Sequence, residues 1–144
     1  MGAGGTALRG GHCGVPHTAD LTVRAWAPTR EECMAHAVRG VAEAFVDLTG
    51  ARGVRSRVVE LRADRDEDLL VDLLEEVVYR LDTEDEVPVD VVLTEVRGAL
   101  RAELLMADAG TLTVIGAAPK AVTLHGLSLS GGPEGWTCSV TLDV

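Results

Sequence analysis

The sequence predicts an α+β fold in which two helices pack on one face of a largely antiparallel sheet, in the order β-α-β-α-β-β-β-β. Two stretches repeat their apolar residues at helical spacing. The segments beside them alternate or concentrate β-branched residues, and the second half of the chain strings strand-like runs together with turn formers. At 144 residues the chain fits one domain with a core that needs no disulfide or metal staple. Its composition, 47% hydrophobic but only 3% aromatic, makes that core aliphatic.

From His17 to Ala27 the residues alternate. Ala19, Leu21, Val23 and Ala25 take one face, and Thr18, Asp20, Thr22 and Arg24 the other, the period of a half-buried strand. Thr29 and Glu32 then form a capping box, and Met34, Ala37, Val38, Val41 and Phe45 predict a helix from about Thr29 to Leu48. Ser56 to Ala63 reads as a strand through Val58, Val59 and Leu61. Asp64 with Glu67 offers a second capping box. After it, Leu69, Leu70, Leu73, Leu74, Val77, Val78 and Leu81 make the apolar stripe of a second helix.

Val87 to Val96 and Ala99 to Met106 predict a hairpin turning at Arg97-Gly98. Asp108 to Pro119 is a connection with a short strand near Leu112 to Ile115. Ala121 to Ser130 and Trp136 to Val144 form a closing hairpin around GGPEG. In the first of these strands the apolar parity changes between Leu124 and Leu127, which places a bulge near Gly126. In the last, Cys138, Val140, Leu142 and Val144 face inward. The Gly-rich residues 1–14 read as a flexible leader, and residues 15–144 as a single domain.

Charge and cysteine content exclude several functions. With 23 acidic against 13 basic residues the formal charge is -10, which repels phosphate backbones and argues against direct nucleic-acid binding. Trp26, Trp136, Tyr79 and Phe45 are too scattered for a base-stacking platform. Cys13, Cys33 and Cys138 contain no CxxC and cannot all pair, so a reduced, cytoplasmic setting is expected. The leader lacks the apolar run of a signal peptide, and no later run approaches a membrane span. No GxSxG, phosphate-cradling glycine loop or HExxH occurs.

Asp20 and Asp143 lie on polar faces near the start of the first strand and the end of the last. If those strands are neighbours, the two carboxylates converge with the terminal oxygens of Val144. Crowded anionic oxygens need a cation, and oxygen donors suit a hard divalent ion such as Ca²⁺, Mg²⁺ or Mn²⁺. The alternative is a pair of solvated strand-end carboxylates. His17, in PHTAD, is either a ligand or acid–base group, or a side chain that fixes the turn into the strand. His12, Cys13 and His17 lack the ligand spacing of a zinc site. Lys120 suits a phosphate or the carboxylates, or is simply an exposed strand-end lysine; His125 sits beside the inferred bulge. DTEDE, from Asp82, places acids just after the second helix, where solvation, a cation or a basic partner must offset them.

Taken together, PHTAD, the central DTE, KAVTLHGL and the C-terminal VTLDV resemble the archease family over roughly Val15 to Val144. The resemblance implies a non-catalytic cofactor that promotes guanylylation and multiple turnover of an RtcB-type RNA ligase, in tRNA splicing or RNA repair. It also implies a divalent cation, calcium foremost with magnesium or manganese as alternatives, held by Asp20, Asp143 and the main-chain oxygen of Val144. Asp82 and Lys120 match the family's functional Asp of DTE and Lys of KAVT, and His17 the His of HTAD. This chain departs from the family pattern at Leu124, commonly Tyr, at Gly126, commonly Glu, and in DTEDEVPVD after DTE. The acidic charge suits docking on a basic ligase. Rival readings are a general chaperone or protein-interaction module acting without metal, and a small metal-dependent hydrolase.

Overall fold

The computed structural model describes residues 9–16 and 20–144. Its elements run β1 (Gly11–Pro16), β2 (Asp20–Ala27), α1 (Arg30–Phe45), β3 (Val46–Asp47), β4 (Arg55–Leu61), α2 (Asp66–Glu84), β5 (Glu86–Val96) and β6 (Ala99–Asp108). A 3-10 turn at Ala109–Thr111, β7 (Thr113–Val114), β8 (Ala121–Gly132) and β9 (Gly135–Asp143) complete them. The fold is α+β with two helices and antiparallel strand pairs throughout the described residues.

The strands divide into a four-stranded sheet ordered β1-β2-β9-β8, a three-stranded sheet ordered β4-β6-β5 and a β3-β7 ribbon. A pattern of alternation marks a strand but carries no sign of its partner, so this division was not readable from local sequence. Two further strands went unread. β1 forms from residues that composition assigns to a flexible leader: Gly11 to Gly14 pair in register with Trp26 to Val23. Gly11 is required there by close packing, because a Cβ would sit 2.6 Å from the Trp26 ring. β3 takes the end of the predicted first helix, which stops at Phe45 instead of Leu48.

Thr29 caps α1 as expected, its hydroxyl accepting from the Glu32 amide at 3.2 Å. The second capping box does not form. α2 begins at Asp66 after Arg65, with no side-chain cap, and relies on Asp66, Glu67 and Asp68 against the positive end of its dipole. α2 also runs further than predicted. Asp82, Thr83 and Glu84 are its last turn, and Asp85 closes it in the left-handed region at φ 58°, its amide donating to the Arg80 and Leu81 carbonyls.

The apolar stripes of both helices meet the strands in one aliphatic core. Met34, Val38 and Val41 of α1 and Leu70, Leu73 and Leu74 of α2 pack with Val23, Leu104, Met106, Val140 and Leu142. Cys33 and Cys138 are buried there as hydrogen-bonded thiols, and all three cysteines are unpaired by disulfides. The bond to Cys33, together with burial, pushes the Cys138 thiol up and keeps it protonated. The Arg97-Gly98 turn has φ of 54° and 79°, the positive pair that a two-residue hairpin of this hand needs. β8 loses register with β9 between Thr123 and Ser128, around Gly126 at φ 71°, so the inferred bulge is present.

Buried charge links the two outer strands of the three-stranded sheet. Glu86, 1% exposed at the start of β5, accepts from Arg55 (2.8 Å) and Arg57 (3.1 and 2.8 Å) of β4, across β6. Arg55 also donates to Asp108 at 2.8 Å. Arg57 foremost, then Arg55, holds the Glu86 carboxyl below its ordinary range against the opposing effect of burial.

Candidate functional site

β2 and β9 are neighbours, and their register pairs Asp20 directly with Asp143. The next polar pair along, Thr22 and Thr141, joins hydroxyls at 2.9 Å, so these side chains project from the same face. Side chains two residues apart on a strand share a face, which puts the carboxylates of Asp20 and Asp143 on that same side. Like charges placed opposite each other across a ladder repel. Asp20 makes this worse: its Oδ1 is shielded from solvent and has no hydrogen-bond partner among the described residues.

A shielded carboxylate oxygen without a donor is costly unless something positive meets it. Asp20, Asp143 and the adjoining main-chain oxygen of Val144 supply oxygen donors only, the chemistry a hard divalent cation takes. The residues present therefore fit such an ion, with two carboxylates from protein side chains. Among the described residues no group of three or more His, Cys, Asp or Glu side chains converges as a metal site.

Asp20 and Val144 open into a cavity of about 570 Å³ whose other walls include His12, Glu43 and Ile115. Lys120 lies directly beside Asp143, its amide donating to the Asp143 carbonyl at 2.8 Å. Lys120 lines a second cavity of about 670 Å³, shared with Asp82, Glu75, Tyr79 and Asp85. Ala117 lines the first cavity and Ala118 the second, so the connection between β7 and β8 runs between them. That connection is tied to the end of α1 by amides of Ile115 and Gly116 donating to the Phe45 carbonyl at 2.8 and 3.1 Å. Gly116 has no room for a side chain, since a Cβ would press on the Ala44 carbonyl oxygen.

The structure thus brings Asp20 to Asp143 and Val144, and Asp82 to Lys120, in two neighbouring concavities. It does not merge them into one pocket. His17 lies outside the described residues. His125 is exposed, its amide donating to the Thr123 hydroxyl at 3.1 Å. Glu75, Tyr79 and Glu43 were not singled out from the sequence, because they sit on helix faces whose periodicity reads only as solvated surface.

The Archease protein family model matches residues 14–144. The chain belongs to the archease family. A protein of Mycobacterium tuberculosis strain H37Rv named "Probable protein archease" is 52% identical over 142 residues, covering 99% of this chain and 79% of that protein. "Protein archease" of Methanosarcina barkeri is 28% identical over 134 residues, covering 89% of this chain and 92% of its own. Among solved structures, protein 1598 of Methanobacterium thermoautotrophicum matches with a TM-score of 0.73 at 23% identity, over 93% of this chain and 99% of that one. An archease of Thermotoga maritima described as "possible chaperone" matches with a TM-score of 0.64 at 16% identity, over 90% and 94%. At these identities the two structures speak for the archease fold alone. No helix among the described residues is long and apolar enough to cross a membrane.

Proposed function

We propose that this archease is a non-catalytic activator of an RtcB-type RNA ligase, promoting guanylylation of the ligase and its repeated turnover in tRNA splicing or RNA repair. The observation that carries the reading is the direct pairing of Asp20 with Asp143, with Asp20 Oδ1 left unpartnered among the described residues. A divalent cation, calcium foremost, would be held by Asp20, Asp143 and the main-chain oxygen of Val144. It would supply a positive centre for phosphate oxygens at the partner's nucleotide site. Lys120 and Asp82 face the neighbouring cavity, where the ammonium can meet a phosphate and the carboxylate a basic side chain of the ligase. Exposed Val114, Ile115 and Leu124 give a protein partner apolar surface to cover.

The test is guanylylation of a cognate RtcB-type ligase with GTP. Wild-type chain should stimulate it, and Asp20→Ala, Asp143→Ala and Lys120→Ala should each lose most of the stimulation while remaining folded. Full stimulation by all three variants would sink the reading. Suppression of aggregation of unrelated clients, with no effect on the ligase, would point to a general chaperone acting without metal instead.

A further inference from the structure

Between α1 and the edge strand β1, at the wall of the cavity that Asp20 lines, His12 of β1 meets His36 and Glu43 of α1. His12 Nδ1 lies 3.1 Å from His36 Nδ1, and His12 Nε2 lies 2.5 Å from Glu43 Oε1. The ring centroids are 5.3 Å apart, with the planes inclined by 34°. Sequence spacing gave His12 no partner, because His36 and Glu43 reach it only through the packing of β1 on α1.

The Glu43 carboxylate can only accept from His12 Nε2–H, and the neutral tautomer with its proton there presents the Nδ1 lone pair to His36. A carboxylate on the far nitrogen of an imidazole is the arrangement that orients metal-bound histidines and raises their basicity. Two imidazole nitrogens bound to one zinc ion at about 2.0–2.1 Å in tetrahedral geometry are roughly 3.3 Å apart, close to the separation found here. In the absence of an ion, a comparable nitrogen separation is met by one hydrogen bond in which His36 donates.

We propose that His12 and His36 form a two-histidine site for a borderline d-block divalent cation, zinc or nickel, with Glu43 as the outer carboxylate. Imidazole nitrogen selects these ions over calcium, which sets the site apart from the oxygen donors at Asp20 and Asp143. Among the described residues no third ligating side chain completes the set, so water takes the remaining positions. His12 and Glu43 line the cavity of about 570 Å³, which leaves room for that water. Burial foremost, then Arg39 and His12, holds the His36 imidazole below its ordinary range against the opposing pull of Glu32 and Glu43, which favours the neutral ring that binds a metal. A bound ion would pin β1 to α1 along the wall that Asp20 shares.

The experiment is calorimetric titration of ZnCl₂ and NiCl₂ at neutral pH into the full chain carrying Cys13→Ser, which removes the exposed thiol. One equivalent should bind, His12→Ala and His36→Ala should each weaken it at least tenfold, and Asp20→Ala should leave it unchanged. His36→Gln guards against a folding defect: its amide keeps a donor for His12 Nδ1 but chelates poorly, so it should stay folded and still lose the ion. Binding unaffected by the histidine substitutions, binding abolished by Asp20→Ala, or no binding at all would overturn the proposal and leave a hydrogen-bonded pair only. None of these outcomes depends on ligase stimulation.

Discussion

Asp20 carries the most unusual local environment among the candidate site residues. Its carboxylate faces Asp143 across the β2–β9 ladder, and one of its oxygens has neither solvent nor a donor among the described residues. Two consequences separate a bound ion from a merely strained pair. With a chelator present, Asp20→Asn should remove the like-charge repulsion and raise stability slightly, by roughly 0.5 kcal/mol. With calcium in excess, the unsubstituted chain should gain, on the order of 2.7 kcal/mol at a hundredfold excess over the dissociation constant, and Asp20→Asn should not. Thermal melts in EDTA and in CaCl₂ compare the two directly; an equal calcium shift in both proteins would rule out Asp20 as a ligand.

Among the elements, the three-stranded sheet depends on a single buried carboxylate. Glu86 begins β5, yet its partners Arg55 and Arg57 belong to β4, so the ion group ties together strands that share no ladder. Removing one member of a buried ion group leaves the others desolvated and unpaired. Arg55 retains Asp108 and both guanidinium groups are about one-third exposed, at 37% and 34%, which softens the loss. Glu86→Gln should therefore destabilise by roughly 3 kcal/mol, the low end for such a change. Urea unfolding measures it, and a change under about 0.5 kcal/mol, as at ordinary surface positions, would contradict this account.

Over the whole molecule, the same carboxylate sets a pH dependence. Glu86 is held below its ordinary value of 4.5, chiefly by Arg57, and Asp90 below its ordinary 3.8, chiefly by Arg39. A carboxyl depressed on folding stabilises the fold above its unfolded value, and that contribution is lost as pH falls through the folded value. The His36 imidazole is likewise held below its ordinary 6.5, burial foremost, so stability should begin to fall below about pH 6.5 and decline further below about pH 5 as these carboxyls protonate. Glu86→Gln should flatten the decline, while Asp90→Asn, at an exposed and solvent-screened pair, should change it little. Urea midpoints across this range check both; an identical acid decline with and without Glu86 would refute the assignment.

Much of the architecture was legible because helices and half-buried strands write their periods into nearby residues. Thr29 as a cap, the leucine stripe of α2, the Arg97-Gly98 turn and the Gly126 bulge each depend on local backbone chemistry, and each is found where the sequence put it. Boundaries shifted where two local preferences competed, as at Phe45 and Asp66, and the glycines of β1 read as leader because their packing on Trp26 is not a local property. The sequence by itself determined the α+β class, the helix faces and the placement of Asp20 and Asp143 on polar strand faces. Only the tertiary structure decided that those strands are neighbours, that Asp82 and Lys120 share a different cavity, and that His12 meets His36. Ladder partners and helix–strand contacts join residues far apart in the chain, Thr22 and Thr141 being separated by 119 positions, and no periodicity records a contact at that range.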